Sequence, residues 1–297
     1  MPAAIIFSIE EFAVFDGPGI RLNVFVSGCP LRCQWCHNPE GWENRRQIVR
    51  AANGCALCGT CVAVCPNGAN TLSGTEIVHS ADKCTLCAQC VYNCPKHILR
   101  VSGEVYDTEK LTKRIARCAS VLKVSGGGVT FSGGEVLTQA DFLREMLARV
   151  GELGLHRAIE TSGYGNAEDF ARVLPLCDLV YYDLKVMDSD RHKFYTGVPN
   201  ERILANARTL QESGVPHIWR VPFIHGVNTD RENLLALREF VCAELEPKVE
   251  FLLYNKMAGA KYKMVNKSYG YHFEQPTEED LALTREIFAG IDISVHK

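Results

Sequence analysis

The chain alternates short apolar segments with longer amphipathic ones over most of its length. The apolar segments are rich in β-branched residues, as buried strands are, and they lie at 21–27, 128–132, 157–161, 178–184, 217–224 and 249–254. The amphipathic segments have helical spacing and lie at 138–151, 166–176, 200–213, 230–245 and 277–289. This regular alternation predicts an α/β fold in which helices cover a parallel sheet.

Local signals predict where some of these helices begin and end. Asn200, Asp230 and Thr277 are predicted N-caps, because their side chains can accept a hydrogen bond from the first helical turn. Gly214 and Gly290 are predicted stops, since glycine readily adopts the left-handed conformation that ends a helix. Both kinds of signal support the helical interpretation of these segments.

Chemically reactive residues follow the predicted strands. In strand order they are a cysteine motif, Gly133-Gly134-Glu135, Glu160-Thr161, Asp183 with Lys185, Arg220 and Asn255. In a β/α barrel, the side chains at the carboxyl ends of the strands converge on one mouth. The pattern therefore predicts a partial (β/α)6 TIM-like barrel. A doubly wound open sheet is the alternative, which periodicity alone does not exclude.

The cysteine motif consists of Cys29, Cys33 and Cys36, with the spacing C-x3-C-x2-C. A cubane iron–sulfur cluster takes four ligands, usually four protein cysteines. The next cysteine, Cys55, belongs to a different pattern, so we expect one iron to stay open for a small molecule. An open coordination position is typical of a metal centre that carries out chemistry.

Residues 55–66 and 84–95 carry the same run, C-x2-C-x2-C-x3-C-P. It is typical of bacterial two-cluster ferredoxins, in which the fourth cysteine of each run binds the other cluster. The predicted ligand sets are Cys55, Cys58, Cys61 and Cys94 for one cluster, and Cys84, Cys87, Cys90 and Cys65 for the other. Structural zinc is the alternative, since paired C-x2-C motifs also bind zinc. The eight cysteines and the internal repeat argue against zinc.

The chain thus divides into two predicted domains. Residues 50–101 form a dicluster ferredoxin-like domain, inserted into a barrel formed by residues 1–49 and 102–297. The insert has too little apolar sequence for a core of its own, so its clusters must hold it together. Because both clusters have complete protein ligation, we expect them to move single electrons.

Composition narrows the classes of partner. Lys and Arg number 32 against 35 Asp and Glu, and this near balance gives no reason to expect nucleic acid. The N-terminal segment has no secretory pattern, and no apolar run reaches the ~18 residues of a membrane-spanning helix. Fourteen cysteines in a reducing compartment indicate metal ligation rather than disulfides. We expect a cytoplasmic protein that binds neither nucleic acid nor membrane.

Several of these residues have both a structural and a ligand-binding interpretation. Lys185 can pair with a ligand carboxylate or simply reach water from a strand end. Asp183 and Glu160 can take an ammonium group or a cation, or they can cap the following turn. Trp35 and His37 flank Cys36, where they can shield the cluster from water or lie against a purine ring.

Five runs of sequence together resemble those of one enzyme family. They are DGPGIR (16–21), SGCPLRCQWCHNPE (27–40), GGGVTFSGGE (126–135), AIETSG (158–163) and DLK (183–185). They are similar to motifs of the radical S-adenosylmethionine enzymes, and more narrowly of the glycyl-radical-enzyme activating enzymes, of which pyruvate formate-lyase activase is the best-known member. The resemblance spans essentially the whole chain. The two-cluster insert resembles that of the subgroup serving other glycyl radical enzymes.

The resemblance implies a cofactor site. The motif cysteines would hold a 4Fe–4S cluster whose open iron binds the amino and carboxylate groups of S-adenosylmethionine. Around it, Trp35 and His37 would lie by the adenine, Gly134 by the methionine amino group, Lys185 by its carboxylate, and Arg220 in the same pocket.

Two further features are implied. A monovalent cation would lie near the cofactor, held by Asp183, Glu160, Thr161 and the backbone of Tyr181. Asn255 stands where the family has a histidine that contacts the cofactor. An amide can still form a hydrogen bond with a ribose hydroxyl, although it cannot carry charge.

The resemblance also implies a reaction that uses three 4Fe–4S clusters. An electron from a donor such as flavodoxin or ferredoxin would reach the site cluster through the insert. Reductive cleavage of S-adenosylmethionine would give a 5′-deoxyadenosyl radical, which removes a hydrogen atom from a glycine of a partner glycyl radical enzyme. Two alternatives stay open at this point: a radical enzyme acting on a small molecule, and a non-catalytic electron-transfer protein with three clusters.

Overall fold

The computed structural model describes residues 1–296, which contain a large mixed sheet and two small antiparallel sheets. The strands are β1 (Ala3–Ala13), β2 (Arg21–Val26), β3 (Gln47–Arg50), β4 (Asn70–Ser73), β5 (Glu76–His79), β6 (Leu99–Ser102), β7 (Glu104–Asp107), β8 (Gly128–Gly133), β9 (His156–Thr161), β10 (Leu179–Asp183), β11 (His217–Phe223), β12 (Lys248–Leu253) and β13 (Asp292–His296). The helices are α1 (Thr60–Ala63), α2 (Gln89–Tyr92), α3 (Thr108–Val124), α4 (Ala140–Glu152), α5 (Ala167–Val173), α6 (Ser189–Thr196), α7 (Glu201–Ser213), α8 (Arg231–Val241) and α9 (Glu278–Ile287).

The strand order of the large sheet decides between the two predicted architectures. The order is β13-β12-β11-β10-β9-β8-β2-β1-β7, so the parallel strands from β2 to β13 follow one another as they do along the chain. A doubly wound sheet would reverse its order at a switch point. Right-handed crossovers without a reversal put the helices on one face, as in a β/α barrel. Within residues 1–296 the end strands β13 and β7 do not pair with each other, which leaves the sheet open.

The six predicted strands are confirmed to within one residue at each end, as β2 and β8 to β12. The five predicted helices are also present, although α8 ends at Val241, four residues early. The sequence pattern did not predict β1, β7 and β13. β1 and β7 are antiparallel strands at one edge, where β1 pairs with β2 and β7 pairs with β1, so they depend on a neighbouring strand rather than on the βα repeat.

Two of the three predicted N-caps act through their side chains. The Asp230 carboxylate accepts from the Asn233 amide, and Thr277 forms a reciprocal capping box with Asp280. Asn200 precedes α7 but does not cap it, because its amide donates to the carbonyls of Val186 and Met187 instead. The predicted stops hold, since Gly214 ends α7 with φ 69° and Gly290 follows α9 with φ 86°.

The two faces of the parallel sheet differ in polarity. Alternate residues such as Val180, Tyr182 and Trp219 pack with the helices in the main apolar core. Residues between them lie on the opposite face, which we call the inner face. It carries Arg21, Asn23, Thr130, Ser132, Glu160, Tyr181, Asp183, Arg220 and Glu250. The barrel interior is therefore polar and charged, which suits a binding site rather than a second core.

The insert joins the rest of the chain through one antiparallel pair, β3 with β6. It also contains the β4–β5 hairpin and the short helices α1 and α2. Its apolar cluster is small, and two of its four buried members are Cys90 and Cys94. Protein packing alone contributes little to the stability of the insert, as the sequence predicts.

Within residues 1–296, no helix is long and apolar enough to cross a membrane.

Candidate functional site

Three cysteines lie in the loop that follows β2. Cys33 is buried, whereas Cys29 and Cys36 are half-buried. Backbone hydrogen bonds hold this cysteine loop on two sides: the Cys29 amide donates to Trp42 O at 3.0 Å, and the Arg32 amide donates to Thr196 O at 2.6 Å. The shape of the loop is therefore set by contacts within the protein itself.

Burial disfavours the charged form of these cysteines. It raises the pKa of Cys33 to about 12, and it also raises the pKa values of Cys29 and Cys36. Cys36 Sγ accepts hydrogen bonds from the Asn38 amide at 3.4 Å and from Trp42 Nε1 at 3.3 Å. Thiols in such surroundings become thiolates when they bind a metal. This donor set fits an iron–sulfur cluster with three protein ligands.

The cysteine loop faces a cleft of about 210 Å³ at the carboxyl ends of the parallel strands. Each strand from β8 to β12 contributes to its wall from or just beyond its carboxyl end, as the barrel prediction requires. The predicted site residues that the cleft brings together are Cys29, Cys33, Cys36, Trp35, His37, Gly134, Glu160, Thr161, Asp183 and Lys185. Arg220, Tyr181 and Asn255 do not line it.

Lys185 and Asp183 form an ion pair in the wall of the cleft. Lys185 Nζ lies 2.7 Å from Asp183 Oδ2, and only 8% of the lysine side chain is exposed. Burial would lower the pKa of Lys185, but the Asp183 carboxylate outweighs it and raises that pKa. Lys185 is therefore a fixed cation at the mouth of the barrel.

Glu160 is held in the wall by two donors. Ser132 Oγ donates to it at 2.6 Å and Arg220 Nη1 at 3.0 Å. Burial would raise the pKa of Glu160, but the Arg220 charge and these hydrogen bonds hold it below its usual value. Arg220 also bonds Glu250 at 2.9 Å and lies 3.6 Å from the Tyr181 ring centre. Arg220 and Tyr181 thus lie on the inner face of the sheet but outside the cleft lining, where Arg220 holds Glu160 in place.

The predicted cation ligands already have protein partners. Asp183 pairs with Lys185, Glu160 pairs with Arg220, and the Thr161 hydroxyl donates to Glu135. Cations of the protein thus neutralise the two carboxylates. The monovalent cation stays a prediction.

Glu135 is a structural centre of the site; the sequence placed it at a strand end but did not assign it a role there. Its buried carboxylate accepts from Thr161 Oγ1 at 2.5 Å, from the Ser162 amide at 2.8 Å and from Ser162 Oγ at 2.5 Å. It also accepts from the Leu137 amide at 3.1 Å. The sequence signal that could have indicated this role is the glutamate that directly follows Gly133-Gly134 at the end of β8. Glu135 joins the ends of β8 and β9 and fixes this side of the cleft.

Close packing of backbones explains Gly134. A Cβ at this position would lie 2.3 Å from Gly28 O and 2.8 Å from Gly41 O. Any side chain would therefore push apart the end of β8 and the segments on either side of the cysteine loop. The glycine is required by this approach, whatever the cleft binds.

Trp35 and His37 line the cleft, whereas Asn255 lies outside its lining. Trp35 is buried against the rings of Tyr195 and Phe273, each with its centre 6.1 Å away. Burial lowers the pKa of His37, which favours its neutral form. Asn255 turns its exposed side chain into its own turn, where Oδ1 accepts from the Met257 amide at 2.9 Å. A contact between Asn255 and a ribose stays a prediction.

The insert contains two hollows, and each is lined by four of the predicted ligands. One is lined by Cys55, Cys58, Cys61 and Cys94, and the other by Cys65, Cys84, Cys87 and Cys90. Each hollow thus combines three cysteines of one run with the last cysteine of the other. This is the crossed grouping that the two repeats predict.

Within residues 1–296, no three His, Cys, Asp or Glu side chains gather closely enough to hold one metal ion.

Comparison with protein families identifies the chain. Residues 80–238 match the radical SAM superfamily, residues 54–99 match a 4Fe-4S dicluster domain, and residues 15–63 match a 4Fe-4S single cluster domain. The chain belongs to the radical SAM superfamily. The single-cluster match contains the cysteine loop, and the dicluster match contains all eight cysteines of the insert.

Curated relatives of this radical SAM protein are activating enzymes. It is 39% identical to the trans-4-hydroxy-L-proline dehydratase activating enzyme of Clostridioides difficile, over 96% of this chain and 95% of that protein. It is 38% identical to the choline trimethylamine-lyase activating enzyme of Oleidesulfovibrio alaskensis, over 99% and 95% respectively. The predicted membership of the glycyl-radical-enzyme activating enzymes is confirmed.

A solved structure shows the same fold. SuiB of Streptococcus suis, bound to its precursor peptide SuiA, matches 95% of this chain and 49% of its own, with a TM-score of 0.57. At 13% identity this likeness concerns the fold alone.

Proposed function

We propose that this protein activates a glycyl radical enzyme, using S-adenosylmethionine bound at a 4Fe–4S cluster on Cys29, Cys33 and Cys36. The observation that carries this proposal is the cleft, where the cysteine loop meets the carboxyl ends of five parallel strands. When bound, the reduced cluster and S-adenosylmethionine supply the radical chemistry that removes a hydrogen atom from the partner's glycine. The protein's task is to bind, orient and exclude water.

The residues of the cleft are suited to orient this cofactor. Lys185, kept protonated by Asp183, offers a fixed positive charge to the methionine carboxylate. The backbone beside Gly134 is available to the amino group, and Trp35 with neutral His37 provides surfaces for the adenine. Arg220 acts indirectly in this proposal, by holding Glu160 in the wall.

We further infer that residues 50–101 are a ferredoxin-like domain with two 4Fe–4S clusters, which brings the total to three. The two hollows and their crossed cysteine sets support this inference. The hollows also differ in position. Cys55 and Cys58 are exposed, whereas Cys84 shares a cavity of about 340 Å³ with Ile5 and Asn44 of the barrel.

The hollow lined by Cys84 adjoins the cysteine loop, because Asn44 lines the cavity beside Cys84 and also lies next to Gly28. A Cβ at Gly28 would lie 3.2 Å from Asn44 Cβ, and Gly28 directly precedes Cys29. The proposed route of electron transfer therefore begins at the cluster of Cys55 and Cys58. It continues through the cluster of Cys84 and ends at the site cluster.

Charge indicates the chemistry of the electron donor. Residues 50–101 carry four Lys and Arg against two Asp and Glu, while the rest of the chain has 28 against 33. A donor with an acidic surface, such as a flavodoxin or a ferredoxin, would be steered to the insert. A reducing cytoplasm, which keeps thiols unoxidised, is the compartment that suits this chemistry.

The Cys33→Ala variant tests the proposed function. We expect it to retain the insert clusters but to form no 5′-deoxyadenosine from S-adenosylmethionine, measured by chromatography with dithionite as reductant. Cys177→Ala is the matched control, because Cys177 is buried but lies outside the cysteine motifs. Deoxyadenosine formed by a Cys33→Ala protein whose site cluster is demonstrably lost would overturn the assignment.

A second measurement concerns the partner. We expect a glycyl radical signal in electron paramagnetic resonance (EPR) when the reduced protein and S-adenosylmethionine are mixed with a candidate partner glycyl radical enzyme. Cofactor cleavage without any radical on that enzyme would favour a different substrate.

A further inference from the structure

A covering segment, residues 254–273, lies over the cysteine loop. Its side chains pack into the same apolar cluster as Cys33 and Trp35, and they are Tyr254, Ala258, Tyr269 and Phe273. Lys261 Nζ donates to Asn38 Oδ1 and to Glu40 Oε1, both at 2.9 Å. The segment is thus tied to the chain just after Cys36.

Tyr262 is the unusual residue of the covering segment. It is only 2% exposed, and its hydroxyl oxygen is fully covered without any hydrogen-bond partner in the described part of the chain. Burying a hydroxyl without a partner costs free energy. A phenylalanine would fill the same space without that cost, so packing alone does not account for the hydroxyl.

The surroundings of Tyr262 point to the cysteine loop. Its ring meets the ring of Trp42 edge-on, with centres 5.5 Å apart, and Trp42 Nε1 donates to Cys36 Sγ. Burial is the main cause that raises the pKa of Tyr262, and Cys36, then Tyr269 and Cys33, add to it. Tyr262 thus packs against the residue that donates a hydrogen bond to Cys36.

We propose that the Tyr262 hydroxyl donates a hydrogen bond to a sulfur on the Cys36 side of the site cluster and thereby raises its reduction potential. The inference rests on the cluster in the proposed function. One-electron reduction adds a negative charge to the cluster, and a donor at its sulfurs stabilises the added charge. No proton is transferred. The hydroxyl of Tyr262, Trp42 Nε1 and the Asn38 amide would together donate hydrogen bonds that raise the reduction potential of the site cluster.

The test is a redox titration of the anaerobically reconstituted full-length protein, followed by EPR. The site cluster is distinguished from the insert clusters by the change that S-adenosylmethionine causes in its signal. We expect Tyr262→Phe to lower the ratio of reduced to oxidised site cluster at a fixed potential about tenfold, which for one electron is about 59 mV. Unchanged potentials would overturn the proposal.

Two further variants make the titration specific. Tyr269→Phe is the matched control, because the Tyr269 hydroxyl lies in the same segment but already pairs with the Tyr254 hydroxyl at 3.0 Å. It should leave the potential unchanged. Trp42→Phe removes the donor to Cys36 and should lower the potential as Tyr262→Phe does. An equal shift in Tyr269→Phe would show a general packing effect and refute a specific role for Tyr262.

Unfolding of the iron-free chain provides a readout that does not depend on activity. If the partner of the hydroxyl is the cluster, apo Tyr262→Phe is at least as stable to urea as the apo wild type. A less stable apo variant would show that the hydroxyl has a protein partner, and the proposal would fail. A wild-type cluster that does not respond to S-adenosylmethionine would instead overturn the proposed function itself.

Discussion

The cysteine loop after β2 and the insert between β3 and β6 both gather cysteines, but they place them at different depths. In the loop, Cys33 is buried and the ligands face a cleft lined by the ends of strands. In the insert, Cys55, Cys58 and Cys87 are exposed, and each hollow has four cysteines of its own. Three ligands beside a cleft leave room for a cofactor, whereas exposed ligands at each hollow suit electron exchange with another protein in the proposed function.

The two regions also differ in what stabilises them. The barrel has a continuous apolar core between its sheet and its helices. The insert has a cluster of four buried residues, two of which are cysteines. Metal binding is therefore expected to fold the insert but only to complete the site in the barrel.

Removing the insert clusters should have the largest effect on turnover. In a Cys58→Ser, Cys87→Ser double variant, we expect cofactor cleavage driven by a protein donor to fall to near zero. Cleavage driven by dithionite should persist, because a small reductant reaches the site cluster directly. Deoxyadenosine formation with each reductant measures this, and Cys242→Ser, an exposed cysteine outside the motifs, is the control. Unchanged turnover with the protein donor would eliminate the electron path through the insert.

Iron removal should separate the stabilities of the two regions. After anaerobic chelation, we expect amides of residues 50–101 to exchange with deuterium nearly as fast as in an unfolded chain. Strands β8 to β11 should stay protected, because their core does not depend on metal. Hydrogen exchange followed by mass spectrometry measures both. An insert that stays protected without iron would show that its protein contacts suffice.

Glu135→Ala should weaken the wall of the cleft without touching either set of cysteines. It would leave the Thr161 and Ser162 donors buried and unpaired, so we expect a loss on the order of 3 kcal/mol in the free energy of unfolding. Urea denaturation measures this, and Glu135→Gln should lose less. Glu145→Ala, which removes a more exposed carboxylate on α4, is the matched control. Equal losses in the two alanine variants would mean that the burial of Glu135 has no special effect.

The smallest expected effect is a pH dependence of the free energy of unfolding. It arises at His217, the first residue of β11, at the end of the strand away from the cleft. His217 Nε2 lies 2.8 Å from Glu244 Oε2. Burial would lower the pKa of His217, but Glu244 and the Val215 carbonyl outweigh it, and the net shift is upward. The stabilisation is therefore complete below the pKa of an unfolded histidine and is lost as the pH rises through the raised value.

Glu244 sets the lower limit of the same window, because bonding to His217 and Trp219 holds its pKa below the usual value despite burial. Its contribution is lost as the pH falls through that lowered value. Unfolding free energies measured from pH 5 to 8 should decline at the upper end in the wild type, and the decline should be flatter in Glu244→Gln. The potentials of the clusters should not change, so a shift in them would link the two ends of the barrel.

The sequence predicted the strands and most of the cleft because both follow short-range patterns. Alternating polarity marks the strands, and residues such as Asp183 and Lys185 are recognisable from their place at a strand end. The partners of these residues come from distant parts of the chain and have no local signal. Arg220 meets Glu160 and Glu250 across the four strands from β9 to β12, and Tyr262 reaches the cysteine loop from more than 200 residues away.

Asn255 shows a different case, in which a motif predicts a contact that stays a prediction, while the structure shows a local role for the same side chain. Its amide serves the turn before Met257, which no pattern in the strand foretells. β1 and β7 were missed for a similar reason, because antiparallel strands added beside a parallel sheet are defined by their neighbours more than by their own sequence.

The pairing of β3 with β6 has a consequence for how such a protein can be rebuilt. Gln47 lies opposite Ser102 and Arg50 opposite Leu99, so the chain leaves the barrel and returns to it at nearly the same point. The residues between these two strands can therefore be exchanged for another segment without disturbing the order of the large sheet. Once the ends are fixed, the length of what lies between them adds little entropic cost. The same junction would accept a short hairpin.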